Sequence, residues 1–386
     1  MNDITRRDAL GRMGLVTVGL AAAPVRGWPE AWFLQEAVIP FTDVPADFTG
    51  MRAGEEQFAG MNRSAQDLRR LESWVTPVED FFAVAHYGYK EVDLRTYNLS
   101  VGGLARRPLE LSLDQLRARP RVTRTTVFEC GGNSARLFRG MVGNAEWTGT
   151  PLLPLLEEAG WADEVREVHF WAADSGTEEL GGASYEKNFA RSMSLDAIRE
   201  RNPILAYEMN GAPLTVVHGS PLRLIVPGWY GVAQVKWLTR IEFSPDRLMT
   251  RFMARDYVTL MGREADGRTE WIQTSVTRIR PTSAIARVTR QGNRFRIFGV
   301  AYGDGTPLDR VEVRVDGGAW QSATLDRRGD DYTWTWFTLE VPALAAGDHT
   351  LVSRVTDRDG HTQPEELSMK RTRWENNELF TRTIRV

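Results

Sequence analysis

The segment VTRTTVFECGGN, residues 122–133, decides how this chain is organised around its chemistry. Val122 to Phe128 is rich in β-branched residues and predicts a strand that ends at Glu129-Cys130-Gly131-Gly132-Asn133. Glycines let other backbone or a ligand come close, so a thiol at this break is well placed to meet a ligand. The other interpretation is a small buried apolar side chain, and the neighbours of Cys130 must decide between the two.

Composition narrows the classes of protein that this chain can be. Its 386 residues predict two domains with short extensions, since one hydrophobic core rarely grows this large. The single cysteine excludes an intrachain disulfide, a multi-cysteine zinc or iron–sulfur site and covalent c-type haem. A net charge of −3 argues against general nucleic-acid binding. No apolar run is long enough to predict a membrane span in the mature chain.

The first half of the chain alternates short helices and strands. Helices are predicted at 112–119, capped by Ser112, and at 151–160. Gly102-Gly103 is expected to turn the chain after the first strand. The strand candidates are 94–101, 122–128, 165–172, 204–209, 214–217, 222–226 and 235–243. This pattern predicts a mixed α+β domain.

The second half, from about Pro281, contains alternating strands separated by Asp-Gly and Gly-Asp turns. The strands are predicted at 294–300, 311–315, 334–341 and 349–357. Asp316-Gly317-Gly318 is a hairpin signal. This spacing predicts an all-β, immunoglobulin-like sandwich.

The N-terminus has the pattern of an export signal. Thr5-Arg6-Arg7-Asp8-Ala9-Leu10 is a twin-arginine pattern, followed by an apolar run from Met13 to Ala22 and by Ala21-Ala22-Ala23, which suits cleavage. We expect periplasmic export of a folded protein by the twin-arginine route; the alternative is a short amphipathic helix. The expected divisions are a signal region 1–27, an extended arm 28–75, a catalytic domain 76–275 and a β-sandwich dimerisation domain 276–386.

The cysteine turn resembles that of the sulfite oxidase family of molybdenum enzymes. The residues that carry the resemblance are Thr126 to Asn133, Ala206 to Gly211, His218 to Gly228 and Val235 to Leu238. The similarity covers roughly residues 75–386, and the His218 to Leu238 block is its most specific part. It implies a molybdopterin-binding domain of mixed α/β structure followed by the family's β dimerisation domain.

The resemblance implies a cofactor and the residues that hold it. The cofactor is molybdenum with molybdopterin, whose dithiolene supplies two sulfurs while Cys130 supplies the third. Three basic residues within one motif are expected to hold the pterin phosphate: His218, Arg223 and Lys236. Further cofactor-binding positions are Phe82, His86 and Asn133. Taken singly, the histidines could be core residues and the other two solvated strand residues.

The resemblance also implies a catalytic tyrosine and an anionic substrate. Tyr257 matches the family's active-site tyrosine, which binds substrate and gates proton movement. Sulfite oxidases usually carry arginines at positions that are here Val84 and Ala135. The remaining candidates for the substrate cation are Arg136, Arg139 and Arg255, of which Arg136 and Arg255 are expected to be catalytic.

The leading expectation is therefore oxygen-atom transfer that converts sulfite to sulfate, with electrons passing to a separate acceptor such as cytochrome c. An alternative keeps the cofactor but changes the substrate, giving a sulfur dehydrogenase or a sulfoxide or oxyanion reductase. A third class is a non-enzymatic β-sandwich binding protein. The resemblance implies a homodimer, with Trp320, Trp334 and Trp336 as interface or core aromatics, whereas periodicity alone predicts only a sandwich.

Overall fold

The structure, a computed structural model, describes residues 36–45, 48–58 and 61–386. The expected signal region 1–27 and the first residues of the arm, 28–35, lie outside the described residues. Within the described part, residues 37–386 form one compact unit that is built mostly of strands. No described helix is both long enough and apolar enough to cross a membrane.

One mixed and one antiparallel sheet build the domain that contains Cys130. The strands of the first lie in the order Ala183–Ser194, Glu167–Leu180, Leu238–Ser244, Asn98–Gly103 and Leu109–Ser112. The strands of the second lie in the order Ala212–Pro213, Ile204–Met209, Val142–Pro151 and Val122–Glu129, with Arg223–Ile225 paired to Ile204–Met209. The Cys130 strand is therefore an edge strand whose neighbour, Val142–Pro151, is almost wholly buried.

Four short α-helices and three 3₁₀ turns connect these strands. The helices are Leu113–Arg117, Leu152–Ala159, Leu195–Arg201 and Arg251–Ala254, and the 3₁₀ turns are Leu68–Arg70, Ala135–Leu137 and Gly231–Ala233. Ser112 caps the first helix through a capping box with Gln115, which explains why the helix begins there. The helix Leu152–Ala159 buries Leu152, Leu155 and Leu156 against the sheets.

The C-terminal part is a sandwich of two antiparallel sheets. One sheet has the order Ala37–Ile39, Thr282–Gln291, Arg294–Tyr302, Thr335–Val341 and Thr324–Asp326. The other has the order Gln321–Ser322, Leu308–Val315, Asp348–Asp357 and Thr381–Arg385. Apolar side chains from both sheets, among them Val288, Val311 and Phe337, form their common core.

Two small sheets complete the fold. One consists of the strands Arg268–Ser275, Val258–Ala265 and Lys370–Arg371. The other consists of the strands Met51–Phe58, Met61–Ala65 and Val84–Ala85. The described part of the arm thus forms strands, although its composition shows no periodicity. One of these strands, Ala37–Ile39, extends the sandwich, because the edge of Thr282–Gln291 offers unpaired backbone groups.

Two local predictions were wrong, and one strand is longer than expected. Residues 214–217 form a loop that leads into a turn, because their backbone leaves the sheet after Ala212–Pro213. Gly102-Gly103 continues a strand beside Leu238–Ser244, where only a glycine allows the close approach of Phe243 to Gly103. The strand predicted at 165–172 runs on to Leu180 as half of a long hairpin.

The three tryptophans of the β domain differ in environment. Trp334 is fully buried and donates Nε1–H to the carbonyl of Trp74 at 2.8 Å, so it is a core residue. Trp336 is also buried. Trp320 lies between the guanidinium groups of Arg314 and Arg354, at 4.5 and 4.1 Å from its ring centroid.

Candidate active site

One cavity of about 630 Å³, counting its space open to solvent, collects most of the predicted site residues. Its predicted members are Phe82, His86, Cys130, His218, Arg223, Lys236 and Tyr257. These residues come from five separated segments, so only the tertiary fold brings them together. Val84 and Ala85, at the positions usually occupied by other residues in sulfite oxidases, also line the cavity.

The turn after the strand Val122–Glu129 presents the thiol to this cavity. Cys130 is 8% exposed, and the amide of Gly132 points at its Sγ, 3.4 Å away. A Cβ on Gly131 would lie 3.2 Å from Val276, and one on Gly132 would lie 3.2 Å from the ring of Trp374. Aliphatic and aromatic side chains therefore pack closely on the turn, and a larger residue at either glycine would require Val276 or Trp374 to shift.

Asn133 has a structural role in this turn. Its Nδ2 donates to Glu129 Oε1 and to the Arg139 carbonyl, both at 3.1 Å, and its Oδ1 accepts from the Met141 amide at 3.2 Å. The side chain is buried and does not line the cavity. Asn133 thus holds the thiol in place, and the structure does not bring it to the cofactor position expected from the sequence.

Basic side chains gather at one end of the cavity. Arg223 stacks on Trp147, 4.7 Å from the ring centroid, and donates to the His218 carbonyl at 2.8 Å. Lys236 donates Nζ–H to the Val217 carbonyl at 3.0 Å. Burial, with repulsion from Arg223, lowers the pKa of Lys236 to about 7 and the pKa of His218 to about 3. Arg223 and Lys236 are thus basic groups that the protein itself leaves poorly neutralised, and His218 is a neutral imidazole beside them at neutral pH.

Asp174 is the one carboxylate that lines the cavity among the described residues, and the sequence analysis missed it. Burial raises its pKa to about 6, and its Oδ1 has no hydrogen-bond partner. Arg223 Nε is likewise buried without a partner. An anionic group that also carries N–H donors would satisfy both kinds of atom. The phosphate and pterin ring of molybdopterin have this chemistry, so the residues present fit the cofactor.

A tyrosine–histidine pair lies at the other end, beside the thiol. The hydroxyl of Tyr257 and Nε2 of His86 are 2.8 Å apart. Tyr257 has a φ of +58°, which is uncommon for a residue other than glycine, and its ring stacks on Trp374 with 4.1 Å between centroids. His86 stacks on Phe189, with ring centroids 4.9 Å apart. Packing from several elements thus fixes the pair.

Burial sets the charge of both members of this pair. It lowers the pKa of His86 to about 3, helped by repulsion from Lys236, Arg251 and Arg191. Burial also raises the pKa of Tyr257 well above its ordinary value, with the nearby Cys130 adding to the shift. At neutral pH His86 is therefore a neutral imidazole and Tyr257 a protonated phenol that can donate or accept one hydrogen bond.

The three arginines expected near the substrate do not reach the cavity. Arg136 is exposed on the 3₁₀ turn Ala135–Leu137. Arg139 is buried but donates to the carbonyls of residues 376 and 378 in the C-terminal segment. Arg255 is exposed and bonds to Glu178 at 2.5 Å and to the Glu179 carbonyl at 3.0 Å. The expected catalytic role of Arg136 and Arg255 lacks support because Arg136 lies on an exposed turn and Arg255 is hydrogen-bonded to other residues outside the cavity.

The two domains meet directly behind the cysteine turn. Tyr302 of the sandwich donates its hydroxyl to Glu129 Oε1 at 3.0 Å, and the Glu375 amide donates to the Gly131 carbonyl at 2.7 Å. Burial raises the pKa of Glu129 to about 7, although Arg139 and the two hydrogen bonds oppose the shift. The β domain therefore helps to hold the turn that carries Cys130.

A mixed α/β domain with one thiol, a buried cationic pocket and an attached sandwich defines a molybdopterin oxidoreductase. Two family models match: "Oxidoreductase molybdopterin binding domain" at residues 86–252 and "Mo-co oxidoreductase dimerisation domain" at residues 270–386. The chain belongs to the sulfite oxidase family of molybdopterin enzymes. It is therefore an enzyme that uses the molybdenum–molybdopterin cofactor, and the alternative of a non-enzymatic binding protein is wrong.

Several relatives support this membership along most of the chain. Sulfite oxidase of Gallus gallus is 30% identical over 368 residues, which cover 88% of this chain and 78% of the relative. Mitochondrial sulfite oxidase of Homo sapiens is 29% identical, over 85% of this chain and 64% of its own length. The sulfane dehydrogenase SoxCD of Paracoccus pantotrophus has the same fold, with a TM-score of 0.73, 24% identity and 95% coverage of both chains.

Proposed function

We propose that this protein oxidises a small sulfur compound by oxygen-atom transfer, with sulfite as the leading substrate. The observation that carries the proposal is the shared cavity of Cys130, the Tyr257–His86 pair and the group His218, Arg223 and Lys236. Support for the substrate class comes from relatives whose names refer to sulfite and to sulfane oxidation.

Each part of the cavity has a defined task in this proposal. The cofactor supplies two-electron redox chemistry and the transferred oxygen when it is bound. Cys130 binds the metal, and the buried cations bind the phosphate, whose charge offsets the cost of burying them. Tyr257 donates its hydroxyl hydrogen to the substrate or to His86, and the neutral imidazole accepts it. In the balanced reaction, sulfite and water yield sulfate, two protons and two electrons.

A less anionic sulfur compound is the second candidate substrate. No arginine among the described residues lines the cavity beside Tyr257, where Val84 and Ala85 lie instead. A dianion would thus find no direct guanidinium contact there. The chemistry would be the same, but the preferred substrate would carry one negative charge or none.

Sulfite-dependent reduction of ferricyanide by protein of verified molybdenum content separates these candidates. Saturable turnover in the native enzyme, and none in Cys130→Ala, would support sulfite oxidation. The absence of turnover in metal-loaded protein would exclude sulfite and favour the second candidate. Dimethyl sulfoxide reduction with reduced methyl viologen would test the reductive alternative in the same preparation.

We also propose the biological setting of this activity. The N-terminal pattern favours periplasmic export by the twin-arginine route, and the match to a dimerisation domain favours a homodimer formed through the sandwich. The domain division at residue 276 is part of this proposal. The electrons would leave one at a time to a cytochrome c. Sedimentation of the purified protein at micromolar concentration tests the dimer, and a monomer there would contradict it.

A further inference from the structure

Arg191 is a buried cation close to the substrate end of the cavity. It lies in the strand Ala183–Ser194, two residues after Phe189, and both residues contact Phe252: the Phe189 ring lies 5.1 Å from the Phe252 ring, and the Arg191 guanidinium donates to the Phe252 carbonyl. Phe189 stacks on His86 and lines the cavity. Arg191 itself is only 2% exposed.

The guanidinium of Arg191 binds the two ends of the segment that carries Tyr257. Its Nη1 donates to the carbonyl of Phe252, and its Nη2 donates to the carbonyl of Val276 at 3.0 Å. The Val276 amide in turn donates to the Tyr257 carbonyl at 3.0 Å. Because Tyr257 holds a left-handed backbone conformation, its loop needs such fixed points on both sides.

No carboxylate among the described residues forms an ion pair with Arg191, and its Nε has no hydrogen-bond partner. Burial lowers the pKa of Arg191 to about 10, so the group is still charged at neutral pH. A buried charge without a counter-charge is costly unless an anion is placed nearby. The titratable groups that interact with Arg191 electrostatically are the Tyr257 phenol, the Arg247 guanidinium and the His86 imidazole.

We propose that Arg191 is a positioning residue on the substrate side of the cavity. It fixes the Tyr257 loop, and its positive charge draws an anionic sulfur substrate towards that loop. This proposal rests on the proposed function and deepens it. Arg191 acts through the field of a desolvated cation and through Tyr257. It does not act by direct contact, because it does not line the cavity. The substrate is then a sulfur oxyanion, even though the uncharged residues Val84 and Ala135 occupy positions that are usually arginine in sulfite oxidases.

Three variants of the holoenzyme separate charge from packing. Arg191→Lys keeps the charge, Arg191→Gln keeps a donor without the charge, and Arg191→Met keeps neither. Arg201→Met is the matched control, since Arg201 is also a buried arginine that donates to a carbonyl, that of Asp304 at 2.5 Å, away from the cavity. Molybdenum content and thermal unfolding are measured for every variant before use.

Sulfate binding to the oxidised holoenzyme, followed by calorimetry, is the readout that does not depend on turnover. We expect Arg191→Gln and Arg191→Met to weaken sulfate binding and raise the KM for sulfite by roughly 10- to 100-fold. Arg191→Lys keeps the charge but cannot reach both carbonyls with a planar fork, so its loss should be clearly smaller than that of Arg191→Gln, about three- to tenfold. The control should bind sulfate as the native enzyme does.

The outcomes distinguish the two proposals. Native-like sulfate binding in metal-loaded Arg191→Gln would overturn the role of Arg191 and leave sulfite oxidation standing. Equal losses in Arg191→Lys and Arg191→Gln would show that the hydrogen-bond geometry matters and the charge does not, which would overturn the role of Arg191 in attracting an anionic substrate. If the native holoenzyme neither binds sulfate nor oxidises sulfite, the proposed function fails first.

Discussion

Replacement of Lys236 by methionine should stabilise the cofactor-free protein while it abolishes cofactor retention. The pKa of Lys236 is lowered from 10.5 to about 7, which corresponds to about 5 kcal/mol of native-state cost at and below neutral pH. Solvent reaches part of the side chain, so screening reduces this cost to about 3 kcal/mol. The variant also loses the hydrogen bond to the Val217 carbonyl, worth about 1 kcal/mol. A net gain of about 2 kcal/mol remains.

The assay compares urea unfolding of molybdenum-free protein at pH 7 with molybdenum content after expression with cofactor supply. Lys236→Met should unfold at higher urea and retain at most about a tenth of the native molybdenum, because a phosphate contact is lost. Lys187→Met, which removes an ammonium packed on Trp171 near the surface, is the control and should change neither quantity. A cofactor-free Lys236→Met that is less stable than the native protein, or one that is fully metal-loaded, would refute the reasoning.

Three further predictions concern the catalytic pair, acid stability and sheet packing. Tyr257→Phe removes the hydroxyl that bonds His86 and should lower kcat by roughly 100-fold at native molybdenum content; near-native turnover would contradict this role. The pKa values of His86 and His218 are both lowered to about 3 in the native state. The unfolded chain therefore binds more protons below pH 6.5, and urea titrations of cofactor-free protein should show stability falling from pH 6.5 towards pH 3, by up to about 1.4 kcal/mol per pH unit for each histidine. An unchanged urea midpoint across that range would count against it. Gly149→Ala places a methyl 2.1 Å from a carbonyl oxygen of the neighbouring strand and should prevent soluble expression, whereas Gly102→Ala, with open space, should express normally.

The local motifs could be recognised from the sequence because their signals are short-range. The capped helix at Ser112, the leucine face of Leu152–Ala159 and the strand before Cys130 all depend on neighbouring residues. Residues 214–217 have an apolar pattern typical of a strand, yet they form a loop and turn in which the Val217 carbonyl accepts from Lys236, a residue 19 positions away. Local propensity does not contain such a long-range contact.

The substrate side of the site was the least predictable part. Arg136 and Arg255 follow family-like motifs, but their exposure and partners could not be read from spacing. Arg191 and Asp174 lie on the long hairpin, where single charged residues in apolar surroundings are the only hint of burial. Sequence alternation shows which face a strand residue shares, but not what packs against that face.

The sequence by itself determined the family, the two-domain class, the lone Cys130 thiol and the order of the cofactor-binding motifs, because each is written in contiguous residues. Only the tertiary structure decided which side chains share the cavity, because burial and charge depend on contacts between distant segments. It placed Tyr257 against His86, 171 residues apart, and it left Arg191 as the buried cation behind them. The chemistry of the site therefore follows from long-range packing that sets protonation and charge, and no local pattern records that packing.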